Sequence, residues 1–251
     1  ALLALGLAAS ALPAASANAP EAFTVTSCDR SGPGTLDQAF QDARFAPASV
    51  ISFAADLGCR YRQVGSLYEF EGAVTIQGRG VTSDVIARTT AGPLFEILDD
   101  LTINDVTLTI DQGIAEDQYR TNLDDHWAGT VHSLTSGVTV NFDRVQFKGM
   151  GGTVFSSEDL VYTMADSSTI NIDHSTFFQD NFAYSALPAL WAGQVHVNNT
   201  TFADNIFWEG GLVQAVNTGT FANSTVYHNN IYGPLFVGDV GVMGSLFGLT
   251  Y

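Results

Sequence analysis

The residues best equipped for chemistry sit in two near-copies of one phrase. Positions 138–147 read VTVNFDRVQF and positions 168–177 read STINIDHSTF. Asp143 and Asp173 hold equivalent places, followed by Arg144 and His174. A fold that superimposes the phrases therefore gathers two carboxylates, a guanidinium and an imidazole into one patch. Two carboxylates held this close can divide acid and base roles in glycoside cleavage. The alternative is plain, because charged residues at strand ends are usually solvated and inert. A second set lies in DQGIAEDQYRTNLDDHWAG, at 111–129, which carries Glu116, Asp117, Tyr119, Arg120, Asp124, Asp125, His126 and Trp127. Aromatic faces stack on sugar rings and carboxylates accept hydrogen bonds from hydroxyls, so this stretch could hold a glycan. Its competing reading is a solvated acidic loop with Trp127 tucked against the rest of the chain.

Other chemistries find less support. No Asp-x-Asp-x-Asp-Gly loop appears, so calcium has no motif, and no other cofactor or metal is expected. Two isolated cysteines, Cys28 and Cys59, offer no zinc cluster. They either form a disulfide, closing a loop of about 30 residues for roughly 3–4 kcal/mol on the chain-entropy model, or remain buried thiols. The formal net charge is −17, with 26 acids against 9 bases. Such a surface repels phosphate backbones and anionic headgroups, which argues against nucleic-acid and peripheral membrane binding.

What must position these residues is legible from pattern. The 251 residues are 46% hydrophobic, enough for a sizeable core. ALLALGLAASALPAASANAP reads as the apolar and small-residue regions of a secretory signal peptide, with Ala15-Ser16-Ala17 as its cleavage site. Residues 1–17 are therefore set aside as a signal-peptide remnant, and Ser10, Pro13 and Ser16 interrupt the run too early for a membrane span. Residues 18–46 form a cap segment with a helix over 35–45. Thr35 is its N-cap and Gln38 completes a capping box, while Leu36, Ala39, Phe40 and Ala43 share one apolar face.

From residue 47 onward the chain reads as short strands broken by Gly, Asn, Asp and Ser. DHSTFFQDN at 173–181 returns as NNTTFADN at 198–205 and NSTVYHNN at 223–230. One column of equivalent positions runs Ile103, Phe142, Ile172, Val197, Phe221 and Val242, with later intervals in the twenties. That period marks a solenoid. Leucine columns with helical returns are absent, and a propeller blade needs about 40 residues or more. The expected fold is all-β, a right-handed parallel β-helix with an N-terminal helical cap. Stacking predicts an inner column of Phe147, Phe177, Phe202, Val226 and Phe247, and a hydroxyl column of Ser175, Thr200, Ser224 and Ser245. It also predicts an Asn ladder of Asn181, Asn205 and Asn230 satisfying turn backbone. Two stretches, between Ile110 and Val138 and between Gly152 and Ile170, break the period and should leave the stack as loops.

These residues also resemble a family. FADNIFWEGGLV at 202–213 is similar to the F-x-x-N…G-G-x-I/V repeat of polymorphic outer-membrane proteins, with FQDN, YHNN and GGTV as partial copies. The start, FTVTSCDRSGPGTLDQAFQDAR, resembles secreted proteins of the pectin-lyase-like superfamily, with Asp37 where those usually carry Arg. The resemblance implies a secreted or cell-surface protein of bacterial-type export, structural or adhesin-like, meeting an extracellular glycan or surface protein. It also implies a rival: a polysaccharide lyase, with an Arg or Lys base and calcium-bound carboxylates, or a glycoside hydrolase. The polygalacturonase motifs are absent, which leaves enzymatic activity the weaker expectation. GSLFGLTY ends within a repeat without a polar cap, so the expectation is further coils, another covering element, or end-to-end association of subunits.

Overall fold

The computed structural model describes residues 19–65, 68–89, 93–110, 130–149, 155–157, 167–182, 188–207 and 211–250. The signal-peptide reading of 1–17 and the glycan-binding set at 116–127 lie outside these residues.

Every strand pairing described is parallel, and together they build a β-solenoid with three strand faces. The first face runs, in hydrogen-bonded order, through Glu21–Val25, Ala48–Phe53, Ala73–Gln77, Leu101–Asn104, Thr139–Asp143 and Thr169–Asp173. It continues through the end of Leu190–Asn198, then Val213–Ala222 and Phe236–Met243. The second face stacks Tyr61–Val64, Val85–Arg88, Thr107–Ile110, Gln146–Lys148, Thr176–Phe178, Thr201–Ala203, Thr225–Ile231 and Leu246–Thr250. The third stacks Tyr68–Phe70, Phe95–Ile97, Val131–Ser133 and Phe155–Ser157 onto the start of Leu190–Asn198.

The expected columns are present. Ile103, Phe142, Ile172, Val197, Phe221 and Val242 pair in register, and Ile51 and Ile76 extend the column towards the N-terminus. Strands such as Thr139–Asp143 and Thr169–Asp173 alternate buried with half-buried residues, so one side chain in two enters the core. Phe147, Phe177 and Phe202 stack nearly face to face, with ring centroids 4.4 and 4.5 Å apart. Those separations follow from the strand spacing of about 4.8 Å in a sheet. Each ring buries apolar area worth roughly 1.5–3 kcal/mol. The last rung leaves Val242, Met243, Leu246 and Phe247 exposed.

The helix spans Leu36–Ala43, with Thr35 as N-cap accepting from the Gln38 N–H. The capping box is half formed, because Gln38 sends its amide to Asp42 instead of back to Thr35. Leu36, Ala39, Phe40 and Ala43 are buried as the pattern requires. Phe40 lies edge-on to Tyr68, Phe70 and Phe95, which seats the helix on the first strands of the third face. Cys28 and Cys59 form a disulfide.

Two expectations need correction. Neither interruption is wholly expelled from the stack, since Val131–Ser133 and Phe155–Ser157 each add a rung to the third face. The Asn ladder is also shifted by one residue at two of its three rungs. Phe177 registers with Phe202 and Val226, which places Asp180, Asn205 and Asn229 in one column. Asn205 Oδ1 accepts from the Asp180 N–H and Asn229 Oδ1 from the Asn205 N–H, at 2.9 and 2.8 Å. Each amide then donates to a carbonyl of the coil before it, Phe177 for Asn205 and Phe202 for Asn229. Asn181 and Asn230 both register with Ile206, and Asn230 is exposed. The spacing of Asn181, Asn205 and Asn230 differs by one from that of the core column Phe177, Phe202 and Val226, and the core column sets the register.

Candidate functional site

From Asp105 onward the chain turns between the first and second faces through one residue per coil in the left-handed backbone region. Asp105, Arg144, His174, Asn199, Asn223 and Gly244 occupy that place, with φ between 48° and 58°. Asp, Asn, His and Gly tolerate this conformation better than other residues, while Arg144 needs help from its surroundings. The next residue turns inward, and from His174 onward it carries a hydroxyl that accepts from the turn of the coil before. Ser175 Oγ accepts from the Val145 N–H, Thr200 from Ser175, Ser224 from Thr200 and Ser245 from Ser224. The hydroxyl column is thus the bracket that holds the corner residues outward on one ridge.

The ridge brings Asp143, Arg144, Asp173 and His174 together, as their places in the repeat require. Asp143 and Asp173 are register partners. Arg144 grips Asp105 with two hydrogen bonds, Nε to Oδ1 at 2.7 Å and a terminal nitrogen to Oδ2 at 3.0 Å, and also pairs with Asp143. His174 Nδ1 lies 3.2 Å from Asp173 Oδ2 and 3.5 Å from Asp143 Oδ1. Asp173 Oδ1 accepts from Asn198, Asn199 and the His174 N–H. Farther along, Asn223 donates to Asn198. The result is one polar ladder across successive coils.

Its electrostatics bear on the chemistry. Hydrogen bonding and charge from Asp105, helped by Asp143, push the Arg144 guanidinium further above its ordinary range. In return Arg144, aided by Gln77, holds Asp105 below the usual carboxylate range against partial burial. A guanidinium fixed in its charged form makes a poor proton acceptor, which weighs against Arg144 as a lyase-type base. The four residues also project from a corner, with Arg144 and His174 both about half exposed.

A different charged cluster has no signature in the sequence. Asp84 is fully buried and receives Arg62 at 2.9 Å and Arg79 at 2.8 Å on Oδ1, with Arg79 Nε and its backbone N–H on Oδ2. Burial alone would raise the Asp84 pKa. The hydrogen bonds from Arg79 and the charges of both arginines outweigh it and hold the carboxyl below its ordinary range. Burial pulls Arg62 down from the usual guanidinium value, opposed by Asp84. Arg79 also donates to the carbonyls of Ala54, Ala55 and Leu57, and Arg62 to that of Cys59. These bonds tie the disulfide-bearing loop onto the solenoid. The cluster is architectural.

Among the described residues, no helix is long and apolar enough to cross a membrane. No protein-family model matches the chain, and no curated protein does. A solved structure of Geobacillus virus E2, ORF18, is similar over 89% of this chain and 59% of its own length, at 11% identity and a TM-score of 0.34. The chain thus spans about three-fifths of that protein. A likeness this distant carries nothing about function.

Proposed function

We propose that this chain is an exported, surface-exposed structural domain whose solenoid displays the 111–129 insertion to an extracellular glycan or protein. The observation that carries the reading is continuity of register across the insertion. Thr107–Ile110, just before it, and Val131–Ser133, just after it, each pair with strands of both neighbouring coils. The strands on either side of the insertion keep their register with the neighbouring coils, and insertions into a solenoid commonly carry recognition. The disulfide fits an oxidising compartment, as export requires.

The test is to replace 115–128 by a short Gly/Ser loop and probe both chains on a glycan array. Thermal stability should change little, since loop length costs little entropy, while binding should fall. Unfolding of the replaced chain, or undiminished binding, would refute the reading. Turnover of acidic polysaccharides by the intact chain, abolished by Asp143→Asn or Asp173→Asn with binding retained, would favour the enzymatic rival.

A further inference from the structure

We propose that Asp143, Asp173 and His174 form a three-ligand site for a divalent transition-metal ion that bridges two successive coils. One ligand atom from each residue lies within 4.8 Å of the other two. The two distances from His174 Nδ1 are 3.2 and 3.5 Å. A tetrahedral ion with bonds of about 2.0–2.1 Å keeps its ligand atoms about 3.3–3.4 Å apart, so both distances match an edge of that polyhedron. The third pair of ligand atoms, between the carboxylates, lies within 4.8 Å, and because Asp173 Oδ1 carries the hydrogen bonds, Oδ2 is its ligand oxygen.

A second observation points into the same space. Asp143 Oδ1 is shielded from solvent and accepts no hydrogen bond, although the residue as a whole is one-third exposed. Arg144 occupies the other oxygen of Asp143, leaving Oδ1 as a one-oxygen ligand. The carboxylates of Asp105, Asp143 and Asp173 outnumber the single guanidinium of Arg144. The patch is then negative, which suits a dication. One imidazole with two one-oxygen carboxylates suits zinc or cobalt better than calcium, which takes six or more oxygens. Exposure of His174 and Asp173 leaves the fourth position open to water.

The experiment titrates chelator-treated protein with Zn²⁺, Co²⁺ and Ca²⁺, following calorimetry and the visible spectrum of the cobalt form. The expected result is saturable uptake of about one Zn²⁺ per chain, with the strong visible bands of four-coordinate cobalt. Asp143→Asn and His174→Gln should each weaken binding tenfold or more, because each removes a ligand, not merely its support. His228→Gln, which removes a similarly exposed imidazole beside Asp204, should leave binding unchanged. The chain with 115–128 replaced should bind as the intact chain does, which separates this site from the acids and His126 of the insertion. Absence of saturable zinc uptake would overturn the proposal, as would equal binding by His174→Gln, tighter binding of calcium than zinc, or loss of binding with the insertion. Circular dichroism establishes that each variant is folded. Should Asp143→Asn fail to fold, the His174→Gln arm decides.

Discussion

The coils before residue 110 and those after residue 139 share one backbone path but are held by different devices. The earlier coils use singular ones: a disulfide, a helix laid over Tyr68, Phe70 and Phe95, and the Arg62–Asp84–Arg79 cluster. The later coils use repeated ones: stacked Phe147, Phe177 and Phe202, the hydroxyl column and the Asp180–Asn205–Asn229 ladder. A repeated device spreads its contribution over every interface between coils. A singular device concentrates it, so one substitution removes it altogether. The comparison therefore makes different demands on mutation at the two ends.

The largest effect is expected in the later coils, where Phe177→Asp sets an unpaired charge between two stacked rings and should prevent folding. Phe202→Leu, which keeps the site apolar, should fold with a loss of a few kcal/mol at most. Soluble, native Phe177→Asp protein, judged by circular dichroism and gel filtration, would break the comparison at its strongest point.

In the earlier coils, Asp84→Asn should cost about 3–5 kcal/mol in urea unfolding, because it leaves Arg62 buried without its counter-charge. The same cluster sets an acid limit. The folded-state pKa of Asp84 lies below its unfolded value, so its stabilisation is complete above the ordinary carboxylate pKa of about 4 and fades as pH falls through the folded pKa. Acid unfolding of the parent chain should therefore include a component that Asp84→Asn lacks. Identical stability profiles below pH 4 would remove the cluster from the account.

A smaller effect sharpens the register. Asn229→Ala should cost about 1–3 kcal/mol, since it strands the Asn205 N–H and loses the bond to the Phe202 carbonyl. Asn230→Ala, at the exposed neighbour, should stay within about 0.5 kcal/mol. The opposite order would restore the ladder through Asn181 and Asn230.

How much of this was readable in the sequence depends on whether a feature repeats. The column from Ile103 to Val242 was legible because alternation and period agree at every rung, and the juxtaposition of Asp143 with Asp173 followed from it. The ladder was legible as a device but not to the residue, because the Asn181, Asn205 and Asn230 spacing differs by one from that of the core column Phe177, Phe202 and Val226, and the core column sets the register. Asp84 was not legible at all. Its partners lie 22 and 5 residues away and occur once, so no periodicity marks them. Corner geometry was likewise hidden, since Arg144 gives no turn signal and adopts its φ of 53° only through the stack.

Cross-linking of paired cysteines tests the central claim, that coils stack in this register, most directly. Thr176, Thr201 and Thr225 occupy one column on the second face, each a single rung apart. Adjacent rungs stand about 4.8 Å apart, within reach of a disulfide, whereas two rungs span about twice that and exceed it. Under mild oxidation, Thr176→Cys with Thr201→Cys should form a bond identified by peptide mass spectrometry, while Thr176→Cys with Thr225→Cys should not. A bond between 176 and 225, with none between 176 and 201, would contradict the stacking order described here.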